Sequence, residues 1–131
     1  MLKPLLKWLV PLFFIVTLLV LQQKPISVHA AAERHDECVT VSLGSLGNLI
    51  LKNVCSDRVD MKWCHMTTDG RNVGCQVERD LHPGWHVETG GCPKCKWKVN
   101  YEIFLTSNRA DVEFSSDAQM LAGLKSKQAI M

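Results

Sequence analysis

The stretch that decides the fold runs from Leu49 to Cys64 and reads LILKNVCSDRVDMKWC. From Val59 onward, apolar and polar residues alternate with the period of a strand that buries one face. The stretch opens with a continuous apolar run, which is typical of a strand covered on both faces. Between these two parts, Ser56 and Asp57 favour a turn because their side chains bond nearby backbone groups. We therefore predict a hairpin that is held at Cys55.

Residues 1–30 have the pattern of a signal peptide. Lysines give the segment a basic start, and residues 8–21 form an apolar run of the length that such peptides use. Small residues near the end of the segment fit cleavage after Ala30, with a second site after Ala32. The sequence therefore predicts that the mature protein is secreted or periplasmic.

The alternative for this segment is an uncleaved membrane anchor. Residues 8–21 are short for a span, which needs about 20 residues, and Pro11 interrupts them. No cysteine follows the apolar run closely, which disfavours a lipid anchor. We therefore expect no stable membrane anchor after cleavage.

Removal of residues 1–30 changes the charge of the chain. Three of the 15 Lys and Arg residues lie in that segment, so 12 remain against 13 Asp and Glu and the net charge is near −1. A general nucleic-acid or anionic-membrane binder carries a basic surplus, and the mature chain has none. We predict no nucleic-acid partner, and we interpret Lys94, Lys96 and Lys98 as one solvated strand face.

All six cysteines lie in the predicted mature part: Cys38, Cys55, Cys64, Cys75, Cys92 and Cys95. An even count in an exported chain of this size predicts three disulfides, which stabilise a domain whose core is small. Asp69-Gly70 is a hairpin signal, and a hairpin centred there sets Cys64 opposite Cys75 within disulfide distance. This is the one pairing that the sequence predicts.

The same register also mixes apolar with polar residues on one strand face. It places Met61 opposite Glu78 and Trp63 opposite Gln76. A bulge or a longer loop would shift the pairing by one residue and bring Val77 beside the apolar residues. The sequence leaves these two registers open.

The rest of the mature chain predicts short strands separated by turns. Residues 38–43 alternate like an edge strand, 85–89 are a short strand candidate, 96–105 give the clearest strand pattern, and 112–114 are a candidate final strand. This pattern predicts an all-β fold, a small disulfide-stapled antiparallel β-sandwich over residues 38–115.

The two ends of the mature chain are predicted to lie outside that sandwich. Residues 31–37 are a charged, flexible lead-in. Ser116 is a candidate cap for a weak helix over 117–127, which Gly123 weakens, and a frayed tail is the alternative for 116–131.

Several short motifs resemble a known family. The segments NVCSDRV at 53–59, LHPGW at 81–85 and Thr89-Gly90 are similar to the opening of thaumatin-like β-sandwich proteins. The same pattern resembles small exported bacterial Cys-rich β proteins of unassigned function. The resemblance covers about residues 53–97 and implies a β-sandwich and export. Its motifs are turn and strand chemistry, and the chain has no positions that match the acidic cleft of the family, so the resemblance implies no activity.

Cys92-Pro-Lys-Cys95 is the sharpest local motif. In thioredoxin-like proteins such a pair opens a helix whose N-terminus lowers the pKa of a thiol. Here the motif follows two glycines and runs directly into a predicted strand. We therefore interpret the pair as structural, with thiol–disulfide exchange as the alternative.

A zinc site is a second alternative for the same cysteines. His82 and His86 precede Cys92 and Cys95, and these spacings occur in zinc sites. Pro83-Gly84 breaks the helix that would align the histidines, and an oxidising compartment competes for the thiols. The leading expectation is therefore no cofactor, with zinc as the alternative.

Nothing in the sequence indicates a catalytic nucleophile or a phosphate-binding loop, so an enzyme is not favoured. Trp63 and Trp97 lie on alternating apolar faces and are predicted core residues. Trp85, between His82 and His86 on a turn, is the candidate exposed contact.

We predict an exported, disulfide-bonded, non-catalytic binding module whose partner is a glycan or a protein. The alternative is a thiol–disulfide or zinc-binding protein that uses the Cys92 and Cys95 thiols.

Overall fold

The computed structural model describes residues 32–130, and the predicted signal peptide lies outside them. Six strands form two three-stranded antiparallel sheets. The first sheet has the order β1-β2-β5, with β1 at Val39–Leu43, β2 at Leu49–Asn53 and β5 at His86–Glu88. The second has the order β4-β3-β6, with β3 at Val59–Thr67, β4 at Gly74–Leu81 and β6 at Trp97–Leu105.

The described helices are short. The 3₁₀ helices are Asp36–Cys38 and Thr106–Asp111, and the α-helix α1 is Asp117–Leu124. None of the helices in residues 32–130 combines the length and the apolar character that crossing a bilayer requires. The predicted all-β class, with disulfides and a short C-terminal helix, is confirmed.

One apolar core lies between the two sheets. It is formed by buried residues of both: Cys38, Val39, Leu49, Leu51, Val59, Met61, Trp63, Leu81, Trp97, Val99 and Ile103. Alternation along each strand directs these side chains inward, as expected for a sandwich. Trp63 and Trp97 are both buried in this core, as their strand patterns predict.

The predicted hairpin over 49–64 is wrong. β2 and β3 lie in different sheets, so residues 54–58 cross from one sheet to the other. β2 already pairs with β1 and β5 along its two edges, which leaves no edge for β3. Local turn chemistry predicts a change of direction but does not distinguish a hairpin from a crossover between sheets. The prediction that Cys55 holds this segment is correct, since its disulfide joins Cys38 at the start of β1.

Of the two registers that the sequence leaves open for β3 and β4, the structure has the one centred on Asp69-Gly70. Cys64 lies opposite Cys75, their Cα atoms are 4.0 Å apart, and the two form a disulfide. The pairs that mix apolar with polar residues are also present: Met61 with Glu78 and Trp63 with Gln76. The connection is longer than two residues, 68–73, yet the pairing remains centred on Asp69-Gly70.

The alternative register is wrong, although a bulge is present. It lies at the far end of the hairpin, where Val59 pairs with Leu81. Two residues of β4, Arg79 and Asp80, oppose one residue of β3 there, and Asp80 has a φ of 65°. Because the shift comes after the central pairs, Val77 stays away from the core and is 46% exposed.

The residue opposite this bulge is Asp60, whose side chain is fully buried. Its carboxylate accepts hydrogen bonds from Arg109 Nε at 2.6 Å and Arg109 NH2 at 2.8 Å. It also accepts from Thr106 Oγ1 at 2.9 Å, Asp80 N at 2.9 Å and Arg79 NH1 at 3.3 Å. A buried carboxylate is stable when its charge is paired and hydrogen-bonded, as this one is.

These bonds determine the protonation of Asp60. Burial alone would raise the pKa of the carboxyl, but the hydrogen bonds from Arg109, the Asp80 N–H and Thr106 outweigh burial and lower the pKa to about 2. The network therefore joins the bulge of β4 and the segment after β6 to the start of β3.

The outer face of β3 and β6 is covered by the C-terminal segment. Lys62 Nζ donates to Ser115 O at 2.7 Å and pairs with Asp117 at 2.6 Å. Glu102, directly opposite Lys62, accepts from the N and Oγ of Ser115, both at 2.7 Å. The predicted strand at 112–114 is absent from the described chain, and those residues instead lead into this contact.

The C-terminal helix is present and Ser116 caps it, as predicted. Its side chain accepts from Gln119 N in a capping box. Met120 and Leu124 pack with the Cys64–Cys75 disulfide. Packing explains why glycine occupies position 123 of this helix. A Cβ there would lie 3.1 Å from the Asn100 amide nitrogen.

The lead-in and the last described residues lie along the edge of β6. His35 N donates to Ile103 O at 2.9 Å, and the Asp36 carboxylate accepts from Ile103 N at 3.3 Å. Ile130 forms an isolated bridge with Trp97. Residues 35 and 36, predicted as part of a flexible lead-in, therefore bond to a strand edge that would otherwise be open at Ile103.

We predict that Asp60→Asn lowers the free energy of unfolding by roughly 3 kcal/mol near neutral pH, because it breaks a buried ion pair. The folded-state pKa of about 2 lies below the ordinary value of 3.8. The charge-dependent stabilisation is therefore present above about pH 4 and is lost as the pH falls toward about 2. The difference between variant and parent should narrow in acid. Urea unfolding followed by tryptophan fluorescence measures both effects.

Asp57→Asn, at an exposed carboxyl in the crossover, is the matched control and should change stability little. Equal stability of the Asp60→Asn variant and the parent near neutral pH would contradict the assigned role of the network.

Candidate functional site

The predicted exposed contact, Trp85, lies on a tight turn. Trp85 N donates to His82 O at 3.0 Å, and Gly84 has a φ of +79°. A turn with Pro83 second and a positive φ third is of type II, which requires glycine at the third position. Trp85 is 58% exposed, and its ring stacks on His82 with the ring centroids 4.3 Å apart. The turn therefore presents an indole that is supported on one side.

Asn53 holds the segments on both sides of this turn. Its side chain is fully buried at the end of β2. Nδ2 donates to Leu81 O and to Asp57 O, both at 2.9 Å, and Oδ1 accepts from Cys55 N at 2.9 Å. One amide thus joins β2 of the first sheet, the crossover, and the end of β4 in the second sheet.

The backbone of Asn53 fixes the turn itself. Gly84 N donates to Asn53 O at 2.9 Å, and Asn53 N donates to Trp85 O at 2.9 Å. The NVCSDRV and LHPGW segments are therefore neighbours in space, and Asn53 is the residue that connects them. The backbone of Trp85 is therefore held in place by hydrogen bonds within the protein.

The structure brings Trp85 and His82 together and places His86 next along the chain. His86 is exposed at the start of β5, opposite Lys52, and its Nε2 lies 3.8 Å from Glu88. The Trp85 surface, meaning His82, Trp85 and His86, thus combines one open aromatic ring with polar groups beside it.

Cys92 and Cys95 form a disulfide, and all six described cysteines are paired. Cys95 N donates to Cys92 O at 3.0 Å, and Lys94 between them has a φ of 67°. The chain continues through Lys96 into β6. Since a strand follows in place of a helix, the helix N-terminus that would lower the pKa of a thiol is missing here.

The structure does not bring the four zinc-candidate residues together. His82 lies beside the Asn53 end of β2, where the Trp85 turn is bonded. Cys92 N donates to Leu46 O, beyond the opposite end of that strand. At about 3.3 Å per residue, the strand alone separates the two groups by roughly 13 Å.

A different cluster of possible metal ligands is formed by His35, Glu37 and Cys38. Their ligand atoms lie within 4.8 Å of one another, but the Cys38 sulfur is bonded to Cys55.

A polar cleft that was not predicted from the sequence lies between β4 and the end of β5. Its volume is about 240 Å³. Its lining includes His65, Asn72, Gln76, Glu88, Thr89 and Trp97. One feature of the sequence could have indicated this cleft. In the hairpin register, Gln76 lies opposite Trp63, which puts a polar residue on the strand face that points to the core.

His65 is the titratable ring in this cleft. Its centroid lies 5.1 Å from that of Trp63 and 5.6 Å from that of Trp97. Burial lowers the pKa of His65, and the backbone contact with Asn72 O, 3.3 Å from Nδ1, opposes that shift. The imidazole is therefore neutral near physiological pH, and it can accept a hydrogen bond.

No protein-family model, curated protein or solved structure matches this chain. The resemblance to thaumatin-like openings stays a prediction.

We predict that Asn53→Ala destabilises the protein by roughly 3 kcal/mol, because it leaves three backbone partners without the bonds of the buried amide. Amide hydrogen exchange at Gly84 and Trp85 should accelerate more than exchange in β6, since the turn loses its anchor first. Asn48→Ala, which removes an exposed bond to Glu88, is the control. Unchanged exchange at the turn would show that Asn53 does not hold it.

Proposed function

We propose that this protein is an exported, non-catalytic binding module that contacts a glycan or protein ligand through the Trp85 surface, without a cofactor. The exposed, backbone-anchored Trp85 is the observation that carries this proposal. The three disulfides indicate an oxidising compartment. Together with the predicted signal peptide, they support a secreted or periplasmic location.

Trp85 differs from the other exposed apolar residues. The large apolar side chains that are exposed in residues 32–130 are Leu46, Val54, Val73, Val77 and Trp85, and Trp85 is the only aromatic one among them. Tryptophan offers a large contact area with few rotatable bonds, which explains its enrichment at binding hot spots. Leaving such a ring in water has a cost in free energy that a partner would recover.

The turn also lowers the cost of binding. A partner does not have to order this loop, because the turn is already bonded to Asn53 through Gly84 and Trp85. Preorganisation of this kind increases affinity without new contacts. Exposed Lys52, His86 and Glu88 lie close by on β2 and β5 and supply donors and acceptors for sugar hydroxyls or peptide groups.

We predict that Trp85→Ala weakens ligand binding about tenfold or more, as expected for a tryptophan at the centre of a contact. Mature protein with its disulfides formed would be screened on glycan arrays and against envelope proteins from the source cell. Hits would be titrated by isothermal titration calorimetry, whose signal does not depend on Trp85 and therefore measures the parent and the Trp85→Ala variant alike.

Val77→Ala is the matched control, since it truncates an exposed apolar side chain on β4. The proposal would be contradicted if folded Trp85→Ala protein bound every hit as tightly as the parent does. Hits confined to the glycan array would select the glycan, and hits confined to proteins would select a protein partner.

The alternative function is thiol–disulfide exchange or zinc binding at Cys92 and Cys95. We expect no fast exchange, because no helix follows the pair. In an insulin-reduction assay the protein should add little to the rate of the reductant alone. Rapid turnover that is lost in Cys92→Ser would make redox catalysis the function. A metal bound in the native mass spectrum, together with thiols that alkylate without reduction, would support the zinc alternative.

A further inference from the structure

The inner face of β3 changes from apolar to polar toward the C-terminal end of the strand. Val59, Met61 and Trp63 are fully buried, and the next residue on that face is His65. Across the sheet, Gln76 lies opposite Trp63 and is exposed to solvent. Polar residues at positions that would normally pack in the core mark places where function overrides packing.

The cleft described above lies where this polar corner meets the other sheet. β4 is an edge strand of the second sheet, and β5 is an edge strand of the first. Residues of both edges line the cleft, so it is the gap between the two sheets. At about 240 Å³ it is smaller than the roughly 300 Å³ at which pockets for drug-sized ligands begin. It has room for a single small ring.

Several lining groups have hydrogen-bonding capacity to spare. Among the described residues, the Gln76 amide and His65 Nε2 make no hydrogen bond within the protein, whereas Trp97 Nε1 donates to Gly47 O at 2.8 Å. Glu88 accepts from Asn48 through Oε2 only. The spare groups are thus an amide, which both donates and accepts, and two acceptors.

The charge of the lining disfavours an anionic ligand. Glu88 is the one carboxylate among the lining residues, and neither Lys nor Arg is among them. An anion would meet a negative charge with nothing to compensate it. An organic cation would find no open aromatic face, since Trp97 is only 2% exposed.

We propose that this cleft binds a small neutral polyhydroxylated ligand, such as one sugar ring or a cyclic polyol, through His65, Gln76 and Glu88. Hydroxyl groups donate to His65 Nε2 and to the Glu88 carboxylate, and the Gln76 amide both donates to and accepts from the ring. This site adjoins the Trp85 surface, since His86 Nε2 lies 3.8 Å from Glu88, but its lining includes none of His82, Trp85 and His86.

Four probes test the proposal: glucose, galactose, N-acetylglucosamine and myo-inositol. Each would be titrated into ¹⁵N-labelled mature protein while amide and imidazole chemical shifts are recorded. We expect saturable shifts at His65, Gln76 and Glu88 with at least one probe. The dissociation constant should be about 1 mM, a range that fits a one-ring ligand.

Two substitutions locate the site. His65→Phe and Gln76→Leu keep the approximate shape of each side chain and remove its spare polar groups, so each should raise the dissociation constant at least about fivefold. Gln128→Leu, at an exposed position near the C-terminus, should leave it unchanged.

Absence of saturable shifts at the cleft with all four probes would overturn the proposal. So would undiminished binding by folded Gln76→Leu protein, even if His65→Phe fails to fold. Tighter binding of glucose 6-phosphate or of tetramethylammonium than of every neutral probe would reject the neutral ligand class.

Discussion

The Asn53 side chain is a fully buried amide whose three hydrogen bonds reach both sheets and the crossover between them. A buried amide is stable only when its polar atoms are paired, so Leu81 and Asp57 must lie where Asn53 can reach them. This requirement fixes how the first sheet meets the second at one end of the sandwich. The Cys38–Cys55 disulfide acts on the same crossover and limits how far the unfolded chain can open there.

The Asp60 network extends this constraint along the second sheet. Asp60 follows the crossover directly, and the residue that pairs with Val59 on β4 is Leu81, whose carbonyl Asn53 also bonds. The two buried polar centres therefore share the bulged end of β4. The bulge serves both, because it places the Asp80 N–H and Arg79 against Asp60 and brings Leu81 opposite Val59. Replacing either centre by an apolar group would leave several partners unpaired.

Local patterns were sufficient to predict the strands, the Cys64–Cys75 disulfide and the capped helix, because each depends on alternation or on one turn. The hairpin at 49–64 failed because sheet membership depends on partners elsewhere in the chain. The ion pair of Asp60 was equally inaccessible, since Arg109 lies 49 residues away and a charged residue on a strand is normally exposed. For the candidate site, the exposure of Trp85 followed from its turn, but the cleft at His65 required knowing which strand edges meet.

The two ends of the sandwich use polar residues in opposite ways. At the Asn53 end, buried polar groups are satisfied within the protein, and the result is a rigid support under an exposed ring. At the His65 end, Gln76 and His65 line a cleft, and the Gln76 amide and His65 Nε2 have no hydrogen-bond partner in the described chain. Polar groups cost little at such an edge, because water reaches them. A core built only for stability would have placed apolar residues there, as β3 does at Val59 and Met61. The proposed ligand would use the hydrogen-bonding capacity that is retained at the mouth of this core.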